Sequence, residues 1–292
     1  MAPDAQLLMM KVFKDGANSV AKEIHILAAL DDCVKLNADV VNLSLGSEGG
    51  QEPEEIFSDF VVQRLKRAGI SVVSSAGNEA NLGRFDRVSG DAMNPDLFDY
   101  GTTNSPASYS SFMSVASAQI SSSSYSYNME DAISISGKGS VKMSSFSAWG
   151  PTTDLRLKPE ITAPGSYIYS SVNDNQYSYM DGTSMSAPCY AGVVAVMMEY
   201  LRQTGAPAGE KERAEFINAL LMSTATPFRE LFEKALVSPR RQGAGFLNLS
   251  AATSTPAYLT QTDGVSRPKI ELGENDNGVL SFSFLVKNLS NE

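Results

Sequence analysis

Ser184 stands in the segment 182–188 (GTSMSAP), just ahead of the apolar stretch 191–198 (AGVVAVMM). That stretch has no polar face, so it reads as a helix running through a core. The N-terminus of such a helix offers unpaired N–H groups and the positive end of the dipole. A hydroxyl placed there can be a nucleophile whose developing oxyanion is held by N–H donors. Gly182, Ser186 and Ala187 are small and leave room for a substrate. Taken alone, a Ser at a helix start reads first as an N-cap. Asn78, in 76–79 (AGNE), carries an amide that could donate to the same oxyanion. Taken alone, it reads as an Asn in a turn after a strand. The chain holds one His, His25, so chemistry that needs two imidazoles is excluded.

These residues need a scaffold, and the chain supplies a regular one. Residues 6–13 (QLLMMKVF), 39–45 (DVVNLSL) and 70–75 (ISVVSS) read as strands. Between them, 18–36 reads as an amphipathic helix with Val20, Ile24, Leu27 and Val34 on one face, and 54–68 as a second helix. Strands alternating with helices imply a parallel sheet covered by helices, an α/β fold. In such sheets the chemistry sits beyond the C-terminal strand ends. That directs attention to Ser44, Leu45 and Gly46, and to Ser75, Ala76, Gly77 and Asn78.

The middle of the chain is rich in Ser, with 17 among residues 101–150. Residues 101–111 and 121–128 read as loops, and 112–118, 132–136 and 141–146 as strands. Residues 159–165 read as a strand and tight turn, 212–223 as a helix, and 243–246 as a turn into a short strand. Residues 251–267 carry Thr, Ser, Pro and Gly and read as a linker. Residues 280–284 (LSFSF) alternate with period two, as a half-buried strand does.

Composition limits the partners. The net charge is −10 and the pI about 4.7, which argues against nucleic acid as a partner. No apolar run approaches the roughly 18 residues of a membrane span. Two Cys in 292 residues make no disulfide framework. The first residues lack the charged and apolar regions of a signal peptide.

The segment GTSMSAP resembles the serine box of the subtilisin-like serine peptidases, the subtilases. Further segments agree in the family's order: 2–13, 39–46 (DVVNLSLG), 71–79 (SVVSSAGNE) and 145–165 (SFSAWGPTTDLRLKPEITAPG). The resemblance covers residues 1–250 and implies a subtilisin-like parallel sheet with helices on both faces. It implies Ser184 as nucleophile and Asn78 as side-chain donor of the oxyanion hole. Ser44, Leu45 and Gly46, with Ser75, Ala76 and Gly77, would flank the first specificity pocket. The substrate would be a protein or peptide, in a secreted or cell-envelope enzyme. No cofactor is implied. Many subtilases bind calcium, but no acidic cluster here has a calcium-loop spacing, so no metal site is placed. Cys189 follows Pro188 where the family often has His, and reads as a small buried residue.

Two parts of the family pattern are absent. The Asp and His boxes, which complete the triad, precede in the family the strand matching 6–13. The resemblance therefore implies a missing N-terminal Asp/His segment, an empty strand slot beside 39–45, and no useful activity from this chain alone. On a helical wheel His25 falls on the solvent side, so it is not expected to replace the missing base. Residues 268–292 resemble the start of a fibronectin type III-like β-sandwich, as in cell-envelope subtilases of the lactocepin kind. The rival reading is a non-catalytic subtilase-like scaffold that binds peptides without cutting them.

Overall fold

The computed structural model describes residues 2–16, 20–47, 56–80, 101–121, 140–205, 209, 211–229, 235–272 and 278–290. Their centre is a five-stranded sheet. Strands β1 (Val40–Leu43), β2 (Ser71–Ser75) and β3 (Met113–Ser121) run parallel in that order. β4 (Ser140–Met143) pairs antiparallel with the far end of β3, and β5 (Ile161–Pro164) pairs parallel with its middle.

Helices cover both faces, as two neighbours on β2 show. Val72 packs among Leu27 and Leu30 of α1 (Glu23–Lys35) and Val61 and Leu65 of α2 (Ile56–Arg67). Val73 points the other way. It packs with Val194 and Met197 of α3 (Thr183–Thr204) and Ile217 and Leu221 of α4 (Arg213–Ser223). A strand buried on both faces has no polar edge pattern, which is why 70–75 is an unbroken run of Ile, Val and Ser. Between β5 and α3 the chain forms a hairpin, β6 (Ile168–Val172) with β7 (Gln176–Met180). After α4 come two short helices, α5 (Pro239–Gln242) and α6 (Leu249–Ser254). The pair β8 (Ala257–Thr260) and β9 (Leu285–Asn288) follows.

Four sequence expectations are corrected. Residues 6–13 form no strand, and Leu7 and Met9 are 80% and 89% exposed. Apolar composition alone does not make a strand without a partner for its N–H and C=O groups. Consequently the outer side of β1 is a sheet edge among the described residues. Helix α1 starts at Glu23, and its buried face is Leu27, Leu30 and Cys33, while Val20 and Ile24 are exposed. Residues 280–284 are not a strand; pairing begins at Leu285, where β8 supplies the partner. The strand read at 132–136 lies outside the described residues.

The fourth correction concerns 251–267, which is not an open connection. It holds the end of α6, all of β8, and Arg267, which is 7% exposed. Arg267 donates to the carbonyls of Ser110 (3.3 Å), Ser111 (3.0 Å) and Phe112 (3.3 Å) and to Glu215 (3.3 Å). Beside it, the fully buried Lys158 donates to the carbonyls of Tyr109 (2.8 Å) and Phe112 (2.9 Å) and to Glu160. Glu160 also accepts from Ser114 N–H (2.8 Å) and Lys269 (3.0 Å). Burial pushes the Lys158 ammonium down to about 7, against the pull of Glu160. Burial pushes Glu160 up, but Lys158, Lys269 and Arg267 outweigh it and leave its carboxyl below the usual value. A linker-like composition therefore hides a segment fastened to the sheet by buried charge.

Candidate active site

The C-terminal ends of β1 and β2 meet the N-terminus of α3. Ser184 is the second residue of α3, so it lies in the first turn and not at the cap. Gly182 precedes the helix, and its N–H donates to Gly165 O (2.8 Å), just past β5.

Pro188 lies inside the same helix. It has no N–H, so the carbonyl four residues back, that of Ser184, has no helical donor. The Ser44 hydroxyl takes that place and donates to Ser184 O at 2.7 Å. The end of β1 is thereby fastened to the residue expected to be the nucleophile.

Asn78 is held from the same turn. Its Oδ1 accepts from Thr183 N–H and from Thr183 Oγ1, both at 2.9 Å. A backbone N–H can only donate, so this bond fixes which end of the amide is oxygen. The Nδ2 group is left to donate elsewhere, on the side of Gly182. Thr183 Oγ1 also accepts from Gly77 N–H at 3.1 Å. The Asn78 N–H donates to Glu79 Oε2 at 2.6 Å.

The two strand ends differ in what they offer. The backbone groups of Ala76 and Gly77 are used within the protein. Ala76 N donates to Val115 O (3.1 Å), Ala76 O accepts from Asn104 N (2.9 Å), and Gly77 O accepts from Ala148 N (3.0 Å). Among the described residues, Leu45 and Gly46 make no backbone hydrogen bond. One end is therefore a wall, and the other is an edge to which an extended chain could add.

The structure thus brings together Ser44, Gly77, Asn78 and Ser184, with Ser75 and Ala76 buried directly behind. Thr183 was not anticipated as a site residue. Its signal was its place inside GTSMSAP, directly before Ser184. Among the described residues no side chain is hydrogen-bonded to the Ser184 hydroxyl. His25 is exposed on α1, a helix of the sheet face opposite α3. Cys189 is buried, and burial raises its thiol to about 11, so it is an inert neighbour. No group of three or more His, Cys, Asp or Glu among the described residues could hold a metal ion. Among the described residues, no helix is long and apolar enough to cross a membrane.

Comparison with known proteins gives the family and the fold. The model of the subtilase family, Peptidase_S8, matches residues 1–248. The C5a peptidase of Streptococcus pyogenes is 41% identical over 125 residues, 43% of this chain and 11% of that protein. The PII-type proteinase of Lactococcus lactis subsp. cremoris is 25% identical over 420 aligned positions, covering 93% of this chain and 22% of that protein. The chain therefore spans less than a quarter of either relative. Among solved structures, the prenylagaramide maturation protease PagA superposes with a TM-score of 0.59 at 19% identity, over 82% of this chain and 70% of that one. The PatG macrocyclase, solved with a peptide, gives 0.56 at 21% identity, over 79% and 56%. At these identities the superpositions show the fold. The family match extends over most of the sequence, and the chain belongs to the subtilase family of serine peptidases.

Proposed function

We propose that this chain carries the nucleophile and the oxyanion side of a subtilase endopeptidase that cuts peptide bonds in proteins. Ser184 attacks the carbonyl, and Asn78 Nδ2 donates to the oxyanion that forms. Substrate lies extended along Ser44, Leu45 and Gly46. Its side chain before the scissile bond enters between that edge and Ser75, Ala76 and Gly77.

The observation that carries this reading is the Asn78–Thr183 pair. Two hydrogen bonds hold the amide oxygen, and the N–H₂ end lies on the side of Gly182, two residues before Ser184. A donor fixed before the reaction stabilises charge that develops only in the transition state. The open backbone of Leu45 and Gly46 supports the substrate path.

Acyl transfer also needs a base for the Ser184 proton. His25, exposed on the opposite face, does not supply it. In this reading the imidazole, and the carboxylate that orients it, come from polypeptide outside these 292 residues. Loss of the His from subtilisin, a member of the same family, costs about 2 × 10⁶ in kcat. The 292 residues alone are then inactive. The intact enzyme works outside the cell or in its envelope, in keeping with the cell-envelope resemblance.

The test is casein cleavage by the chain alone and by the chain joined to a subtilase Asp/His segment. Cleavage is expected only from the joined protein. A joined, folded protein that binds peptides and never cuts them would favour the non-catalytic scaffold instead.

A further inference from the structure

Between β5 and Ser184 the chain turns a row of aromatic rings to the solvent. Strands β6 and β7 pair Tyr169 with Tyr179 and Ser171 with Tyr177. Side chains alternate across a strand, so Tyr169, Tyr177 and Tyr179 share one face of the hairpin. The Tyr169 ring centroid lies 5.8 Å from that of Tyr177 and 4.9 Å from that of Tyr179. All three side chains are between 60% and 66% exposed.

An antiparallel pair on a surface ordinarily turns its apolar face to the body and its polar face to water. Here the partly buried residues of β6, Ile168 and Val172, lie on the face opposite the rings. Contact between the rings steadies the hairpin. The aromatic area left in water is still contiguous, which marks an interaction surface. The row is also set before anything binds. Asn173, Asp174 and Asn175 close the hairpin, the last two at φ 61° and 56°, a left-handed conformation that Asp and Asn tolerate.

Charge says what the surface takes. Asp174 stands at one end of the hairpin, in the loop. Asp181 stands at the other, directly after β7, where it accepts from Tyr167 N–H at 2.9 Å. Neither carboxylate has an ion-pair partner among the described residues. From Pro159 to Leu201 the sequence holds no Lys, Arg or His. The face of an aromatic ring is the negative side of its quadrupole and attracts cations. Rings framed by unpaired carboxylates, with no basic residue in the same stretch of chain, form a site for a cationic side chain. Arginine fits better than lysine, because its planar guanidinium stacks on a ring, forks to a carboxylate and is less strongly hydrated than an ammonium.

We infer that the tyrosine face of the β6–β7 hairpin is a docking surface, outside the cleft, for arginine side chains of the protein substrate. The identity of the bound polypeptide rests on the peptidase reading above. Met180, the last residue of β7, is four positions before Ser184, which is at most about 14 Å of chain. A polypeptide seated at Ser184 therefore has neighbouring segments within reach of the rings. The surface adds affinity for arginine-bearing substrates and does not choose the bond that is cut.

The test begins with binding. Fluorescein-labelled penta-arginine and penta-citrulline, its uncharged near-isostere, are titrated against the 292-residue chain at about 0.15 M salt. Penta-arginine is expected to bind about tenfold more tightly. The triple variant Tyr169→Leu, Tyr177→Leu, Tyr179→Leu keeps the charge and the apolar character, and should lower penta-arginine affinity about tenfold. Undiminished affinity in the triple variant would overturn the inference, since the net charge of −10 alone would then hold the peptide. Equal binding of penta-citrulline would overturn it too. Should the triple variant fail to fold, Tyr169→Leu removes the ring that the other two touch. It is expected to cost about threefold, and no loss contradicts the inference. A dimer of the chain that the triple variant dissolves would give the face to a second copy and also overturn it. In the chain joined to an Asp/His segment, the triple variant should raise KM for an arginine-rich polypeptide about tenfold and leave cleavage of a neutral tetrapeptide unchanged. An unchanged KM contradicts the substrate assignment. If the joined protein cuts nothing, the peptidase reading fails, and the titration still decides whether the rings bind arginine.

Discussion

The Ser44 hydroxyl donates to the Ser184 carbonyl at 2.7 Å, the carbonyl that Pro188 deprives of a helical donor. A helix break and a strand end are thereby made into one joint under the proposed nucleophile. Ser44→Ala leaves that carbonyl without a donor but keeps the backbone edge that receives substrate. In the enzyme joined to an Asp/His segment, kcat is expected to fall about tenfold with little change in KM. Ser44→Thr, which keeps the hydroxyl, should recover most of the loss. Steady-state kinetics on one peptide substrate measures both.

Thr183 is expected to act through Asn78. Removing the corresponding donor from subtilisin itself lowers kcat by about 10²–10³, and Asn78→Ala in the joined enzyme should match that range. Thr183→Val removes one of two hydrogen bonds to Oδ1 and keeps the N–H, so about tenfold is expected. The double variant should be no slower than Asn78→Ala alone. Additive losses would show that Thr183 works by another route.

The buried pair Lys158–Glu160 should leave a mark on stability against pH. Lys158 keeps its proton to about 10.5 when unfolded and loses it near 7 when folded. Between those values the unfolded chain binds more protons, so raising the pH favours folding. Urea unfolding at about pH 7 and about pH 10 should show this rise in the wild type and its absence in Lys158→Met. Glu160 acts at the other end. Its folded carboxyl is lowered, so its contribution stands above the unfolded value of 4.5 and is lost as the pH falls through the folded one.

Arg267 should prove to be part of the peptidase body. Its side chain is 8% exposed, and it serves three carbonyls and Glu215. Arg267→Met strips the half-buried Glu215 carboxylate and three carbonyls of a donor at once. About 3 kcal/mol of stability should be lost, read as a lower unfolding midpoint. Arg267→Lys should recover only part of it, because an ammonium cannot reproduce the guanidinium's fork.

What could be read from the sequence was what is local. The strand ends 44–46 and 75–77, Asn78 and Ser184 lie in short runs that the fold brings to one place, and β2 was legible because a doubly buried strand has no polar face. The solvent side of His25 followed from helical period. The errors fell where a partner far along the chain decides the outcome. Residues 6–13 are as apolar as a core strand but find no strand to pair with. Residues 251–267 look like a linker because one arginine, bonded some 155 positions away, carries the attachment.

The most direct test of the central claim is the rate at which a fluorophosphonate labels Ser184. For the 292 residues alone, labelling should be near the rate of an ordinary alcohol. Joined to an Asp/His segment, the chain should take up one label rapidly, on the peptide containing Ser184, and Ser184→Ala should abolish it. Rapid labelling of the unjoined chain that is lost in His25→Ala would contradict the account. So would labelling of the joined enzyme that survives Ser184→Ala.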